Sequence, residues 1–508
     1  MLRLLYIYLL LIPVCSYGQT GNDSLVLDYK REIDKQNFLY HNLSSDENFG
    51  EVQLDYSNEH GNRKLAQEPQ LTRAINFYTY GANQLGNFRI SGDFLFNKIF
   101  DDSLSFGQRN NIDKWSPFNY YASKAGNYER QNYKTDLTLS YKWHKIQPFL
   151  NINYLSHWTT GSVDPRFESK KFEMKYNPGV IFHAKKSKIG LKAILGNGRE
   201  NLAVSYKNGD YKQSLLYPER IHYLNMGYGY SVLKDSMILR KYSNLYGGEI
   251  TLGTRIKKAI IDVIATFERL KEQSTYDLQS TKIYNIKGRY IEDRYKLKAL
   301  LQLPTEKQTH HLLALEGNYT SGYDGHQAFS NDLSRKNYTV DYFEGKVSYL
   351  FTRQKSNAWN YSLGMQGTIY SIERNDYASN LEVSNSFVVL NPKLTVHHRI
   401  SGKDDISLGL SPAYTMALRN ALNYSPNSLN MYIQRVVFTD YNYYSSQAFS
   451  GNITAKWQTK RIATDYWTGL KISYTMEKNT AVTNPQPMGD FYPNAVRNSL
   501  SLGVYINL

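Results

Sequence analysis

From residue 50 onward the chain alternates apolar and polar residues in one segment after another. The final segment, Asn498 to Leu508, shows it most cleanly. Leu500, Leu502, Val504, Ile506 and Leu508 share one parity; Ser499, Ser501, Gly503, Tyr505 and Asn507 share the other. Strand side chains point to opposite faces in turn, so this pattern predicts a strand with one apolar and one polar face. The same period recurs at Val52-Leu54-Tyr56, Leu137-Leu139-Tyr141, Ile189-Leu191-Ala193-Leu195, Ile261-Val263-Ala265-Phe267 and Leu470-Ile472-Tyr474. Short connections such as His144–Gln147, Lys185–Lys188, Arg255–Lys258 and Gly402–Asp405 are expected to alternate strictly with long ones. The long ones include Phe100–Asn132 and Gly196–Asp235, the latter read as the longest irregular stretch. Structureless segments of that length argue against a compact soluble fold but are the expected loops of a membrane barrel. The pattern therefore predicts an all-β fold: a closed antiparallel transmembrane up-and-down barrel over residues 49–508. It would have about 18 strands (range 14–18), long external loops and short periplasmic turns. Closure is required because an open sheet edge in hydrocarbon leaves backbone groups unpaired.

Composition agrees with strands rather than membrane helices. Mean hydropathy is −0.55, and no window after the first residues holds 18 consecutive apolar residues. A barrel tolerates this because only alternate residues meet lipid. The 45 tyrosines suit interfacial girdles, where an amphipathic ring sits between lipid and water. On composition alone, a soluble all-β protein with tyrosine-rich faces fits equally well. At the N-terminus, Arg3, the apolar run Leu4–Val14, and the small residues Ser16 and Gly18 read as a secretory signal peptide over residues 1–18, cleaved before Gln19. The sole cysteine, Cys15, lies inside it, and Ile12-Pro13-Val14 makes a poor lipobox. Residues 19–48 are expected to be a polar periplasmic N-terminal segment at the barrel mouth, with a short helix around Val26–Gln36.

The net charge of +15 is scattered and follows no recognition motif, so nucleic acid is not an expected partner. Charges on the non-lipid parity are expected to line the lumen: Arg89, Asp93, Asp262, Glu268, Lys296, Lys298, Glu316, Glu344, Lys346, Lys393 and Arg399. They suit either a polar solute or plain cross-strand ion pairs in a wet interior. His310-His311 and His397-His398 cannot each chelate one ion, because neighbours on a strand face opposite ways. No metal or cofactor is expected. A barrel hydrolase would need a nucleophile beside a rim histidine; His157 and His326 are at plausible heights, but no motif surrounds them. Gly364, Gly409 and Gly451 read as packing and curvature sites. Phe118–Tyr121, Tyr441–Tyr444 and the cluster near Tyr228 are expected at the external end, serving partner contact or an interfacial girdle.

The last strand resembles the assembly signal of outer-membrane barrels: a polar residue, then glycine, then two spaced hydrophobes. Here these are Ser501, Gly503, Ile506 and Leu508, with Ile506 and Leu508 where aromatics are more usual. Phe49–Ser57, Pro117–Tyr128 and Asp164-Pro165-Arg166 are similar to an uncharacterised outer-membrane barrel family of Bacteroidota, a domain of unknown function. That resemblance implies an integral outer-membrane location, and the even strand count puts both termini in the periplasm. It implies contact with lipid, lipopolysaccharide and the barrel assembly machinery. It also implies association with a TonB-dependent receptor or surface lipoprotein. The expected function is a non-enzymatic channel or accessory subunit of a nutrient or metal uptake system. The alternatives are a receptor or adhesin binding through Gly196–Asp235, and a barrel hydrolase.

Overall fold

The computed structural model describes residues 48–110, 112, 114–212, 215–233, 238–276, 286–304, 309–353, 359–463, 465–482, 485–486 and 494–507. The expected signal peptide, the N-terminal segment up to residue 47 and Leu508 lie outside the described residues.

The strands, in chain order, are β1 (Phe49–Gly61), β2 (Leu71–Leu85), β3 (Phe88–Leu104), β4 (Phe118–Tyr121), β5 (Gly126–Tyr141), β6 (Ile146–Gly161) and β7 (Arg166–His183). Next come β8 (Ser187–Ser205), β9 (Tyr223–Met226), β10 (Ser231–Leu233), β11 (Ile238–Ile256), β12 (Ala259–Thr275), β13 (Gly288–Pro304) and β14 (Thr309–His326). The last are β15 (Tyr338–Arg353), β16 (Asn360–Asp376), β17 (Leu381–Ser401), β18 (Asp404–Asn423), β19 (Ser446–Thr459), β20 (Trp467–Val482) and β21 (Val496–Asn507). A π-helical turn, Ile433–Val437, runs into a short helix, α1 (Phe438–Tyr444).

Eighteen of these strands form one antiparallel sheet, with each strand beside its chain neighbour. β1 pairs with β2 on one side and β21 on the other, so the sheet closes on itself. Val52, Leu54 and Tyr56 meet Ile506, Val504 and Leu502 across the closing seam. The residues of apolar parity point outward, including Leu54, Leu139, Leu191, Ile250, Leu297, Leu363, Leu470 and Leu502. In water this belt would be unfavourable; against lipid it is the matched surface. Outward aromatics pair from strand to strand, as in Phe96–Tyr133, Tyr154–Phe172, Phe267–Tyr295 and Tyr295–Tyr319, with ring centroids 5.0–6.1 Å apart. They mark one rim of the apolar belt. Trp143 and Trp359, both well exposed, mark the other rim at the short-turn end.

Three expectations change. Strands run further than the alternation suggested: β3 continues to Leu104, β5 begins at Gly126, and β8 continues to Ser205. Gly196–Ser205 is therefore paired wall, with Gly196 opposite both Lys175 and Leu245. Polar outward residues such as Asn197 and Arg199 hid this extension, because the wall rises above the lipid. Strict alternation of short and long connections also fails. Residues 162–165 and 377–380 are tight links at the long-loop end. The β2–β3 turn is residues 86–87 alone.

The third change concerns the aromatic loops. Phe118, Tyr120, Tyr121, Tyr228 and Tyr441 do not face outward; all are buried. They belong to one hydrophobic core with Leu104, Leu224, Tyr290, Val340, Tyr432, Val437 and Phe438. This core sits within the long-loop end of the barrel, where β4, β9 and β10 form a separate three-stranded sheet. The loops fold inward because large aromatic rings gain more from mutual burial than from water.

Candidate functional site: a chamber beneath a loop cork

Three connections build the inward core: residues 105–125, 206–237 and 424–445. The first crosses the barrel. It leaves β3, and its Trp115 ring lies 5.1 Å from Tyr342 on β15. β15 is nine strands from β3 in either direction around the 18-strand sheet, so the contact spans the full diameter. Along the way Asn110 Nδ2 donates to Glu200 on β8 at 2.6 Å, and Ser116 Oγ donates to Glu272 on β12 at 2.7 Å. Lys241, 1% exposed, sits between these carboxylates, 3.3 Å from Glu200 and 4.0 Å from Glu272. A buried cation of this kind is tolerable only with paired counter-charges, which the wall supplies, while the loop adds the neutral acceptors Ser116 Oγ and Asn119 Oδ1.

The second connection is held by carboxylates at strand ends. Gly229 and Tyr230 donate their N–H groups to Asp376 Oδ2, both at 2.8 Å. A Cβ on Gly227 would stand 2.0 Å from that same oxygen, so glycine is required for the approach. Asn337 Nδ2 donates to the Met226 carbonyl at 3.1 Å. At the far end of the loop, Lys207 and Asn208 donate N–H groups to Asp164 at 3.0 Å. Burial pushes the Asp164 carboxyl up. The amides of Asn208 and Lys207 with the Arg166 guanidinium outweigh it and hold the group below the usual carboxylate range.

The third connection brings α1. Its Asp440 accepts the Ala66 N–H at 2.9 Å, tying residues 424–445 to the β1–β2 loop. Burial raises the Asp440 carboxyl to about 6. Asn430 Nδ2 donates to the Gly229 carbonyl at 2.8 Å, and the Tyr432 ring lies 4.7 Å from Tyr121. The three loops are thus joined to one another as well as to the wall.

Beneath and among them lies a chamber of about 950 Å³. Arg374 of β16 reaches into it, with its guanidinium 4.4 Å from the Tyr228 ring centroid and 5.2 Å from that of Trp115. Arg374 Nε is buried with no hydrogen-bond partner among the described residues. Burial lifts the Tyr228 phenol to about 12, so it stays a neutral donor. Tyr342 donates to Glu344 Oε2 at 3.1 Å, and both residues line the wall. The surface is polar, with aromatic faces interleaved among both signs of charge. It suits a hydrated, hydrogen-bonding ligand rather than an apolar one.

The residues named from parity are distributed as follows. Lys296 and Glu344 line the chamber. Glu268, Glu316, Lys298 and Lys346 form the ion-paired wall beside it: Lys175–Glu268 at 2.7 Å, Arg294–Glu268 at 3.0 Å, Lys346–Glu316 at 3.2 Å and Lys298–Glu316 at 3.9 Å. Arg89 and Asp262 are buried on the inner face near the short turns, and Asp93 faces Asp136 across the β3–β5 ladder. Lys393 donates to Gln366 at 3.2 Å, and Arg399 to Asp405 at 3.1 Å. Of the assembly signal, Ser501 and Gly503 face inward and Ile506 outward. His157 is buried, with Nδ1 2.6 Å from Asn132 Oδ1 and Nε2 2.7 Å from Thr159 Oγ1. His326 is buried too, and its Nδ1 accepts the Ala328 N–H at 3.0 Å. No group of three potential metal ligands occurs among the described residues. Parity reasoning missed Arg374, Trp115, Asp376, Asp440 and Lys241. Only Asp376 carries a local sign, an aspartate at a strand end before a tight link.

A profile described as "Family of unknown function (DUF6850)" matches residues 38–508. No curated protein matches the sequence. Similar solved structures include the siderophore receptor PiuA from Acinetobacter baumannii, at 10% identity and a TM-score of 0.39, covering 90% of this chain and 82% of that one. The FrpB iron transporter from Neisseria meningitidis gives 8%, 0.41, 93% and 83%. The ferric yersiniabactin receptor FyuA from Yersinia pestis gives 7%, 0.41, 91% and 80%.

Proposed function

The chain belongs to the family of unknown function DUF6850, and we propose that it is an outer-membrane barrel whose own loops close the external mouth over a polar binding chamber. It acts as an accessory subunit of a nutrient or metal uptake system, without catalysis of its own. The diametric contact of Trp115 with Tyr342 carries this reading, because a loop anchored across the lumen is incompatible with a freely open pore. Residues 1–18 serve as signal peptide and residues 19–48 as a periplasmic segment. Both termini face the periplasm. Ser501, Gly503, Ile506 and Leu508 are read by the assembly machinery, and lipopolysaccharide surrounds the long-loop rim. A TonB-dependent receptor or a surface lipoprotein is the proposed partner.

Single-channel recording tests the closed mouth. The intact protein should be silent in a planar bilayer, and replacing residues 424–445 with a short glycine-serine linker should produce steady conductance. Steady conductance of the intact protein would sink the proposal. Purification from native membranes should then identify the docked receptor or lipoprotein. A surface-receptor role keeps one supporting feature, the loop tip at Leu215, which is 89% exposed.

A further inference from the structure

Lysines concentrate on one sector of the short-turn end. Three successive turns, residues 142–145, 184–186 and 257–258, join β5 to β6, β7 to β8 and β11 to β12. These six strands are contiguous in the sheet. With their flanks the turns carry Lys142, Lys145, Lys185, Lys186, Lys257 and Lys258, all exposed. No acidic residue occurs in residues 137–152, 177–198 or 250–261. Elsewhere on this end, the Arg461 guanidinium is neutralised by Asp404 at 2.6 Å.

Backbone bonds stitch the turns into one rigid arc. His183 N–H donates to the Lys145 carbonyl at 2.7 Å, and Arg255 N–H to the Lys186 carbonyl at 2.9 Å. Lys257 has φ 55°, in the left-handed region that favours glycine or asparagine. The chain therefore keeps a charged side chain where a cheaper residue would serve the turn. The arc borders the apolar belt directly. Trp143 and Ile256 are 60% and 57% exposed beside it, with Phe182 and Ile189 just above. Cations at headgroup depth beneath lipid-facing aromatics match an amphiphile with an anionic head.

We propose that this arc is a binding site for anionic phospholipid headgroups of the inner leaflet. An acidic soluble protein would satisfy the lysines but leave Trp143 and Ile256 without purpose. The site rests on the reading that the short turns face the periplasm, and not on the state of the mouth.

Quenching of tryptophan fluorescence by brominated lipids tests it, with the barrel purified in mixed micelles. Brominated phosphatidylglycerol should quench at several-fold lower mole fraction than brominated phosphatidylcholine. Trp143→Phe should remove most of the difference, and 0.5 M salt should shrink it. Changing the six lysines to glutamine should abolish it while heat-modifiable migration persists. If that variant fails to assemble, Lys257→Asn with Lys258→Asn should still halve the preference. Equal quenching by both lipids, or a preference unchanged in the lysine variants, would overturn the site. So would competition by soluble polyglutamate as effective as by phosphatidylglycerol vesicles. Preference for lipid A phosphate over phosphatidylglycerol would likewise overturn it, by moving the arc to the other leaflet.

Discussion

Gly503 on the last strand lies against Asp55 on the first: a Cβ at 503 would stand 1.9 Å from Asp55 Oδ1. The two residues are register partners across the seam that closes the barrel. Asp55 also accepts a hydrogen bond from Gln53 Nε2 at 2.7 Å, so its carboxylate is held in place. Gly503→Leu should therefore slow or block closure, reducing the heat-modifiable folded band severalfold. The same change combined with Asp55→Gly should restore much of it. Normal folding of the single variant would refute the steric argument.

Asp376 ties the second loop to the wall. Asp376→Ala strands the N–H groups of Gly229, Tyr230 and Ser379, at about 1–3 kcal/mol for each that is buried. The barrel should still assemble, since the strand ladder is untouched. Residues 206–237 should become sensitive to limited proteolysis, and bilayer recordings should show flickering openings. Protease resistance equal to that of the native protein would count against the anchor.

The Asp440 carboxyl, raised to about 6 by burial, makes the cork pH-dependent. Its folded pKa lies above the ordinary value of 3.8, so folding favours the protonated form. That contribution is fully present below the ordinary carboxylate pKa and is lost as pH rises through 6. The shift corresponds to about 3 kcal/mol. Proteolytic release of the third loop should be slower at pH 5 than at pH 7.5. Asp440→Asn should flatten the difference. A cork that loosens on acidification would reverse the sign and defeat the assignment.

The outward and inward faces can be told apart by charge. Leu252→Arg places a cation on the lipid face and should cost about 2–4 kcal/mol near mid-membrane. Lys298→Leu, on the inner wall, should cost far less, because its partner Glu316 keeps Lys346 at 3.2 Å. Urea unfolding in lipid vesicles measures both. Similar losses at the two positions would contradict the parity.

The alternation of Leu500, Leu502, Val504 and Ile506 against Ser501, Gly503 and Tyr505 determined by itself that this segment is a two-faced strand, and its repetition determined a barrel of about 18. Lipid imposes that requirement on every strand separately, so it is written locally. The upper parts of β3, β5 and β8 stand clear of lipid, lose the alternation, and so passed for loop. What only the tertiary structure decided is the direction of the aromatic loops. Tyr120, Tyr228 and Tyr441 bear the same residue type as a membrane girdle, and nothing in their spacing says whether they meet lipid, water or one another. That choice depends on which strand lies nine places across the barrel from β3, a relation between residues 115 and 342 that no local pattern encodes. The chamber follows from that choice, because Arg374 acquires its aromatic neighbours only when two distant loops arrive over it.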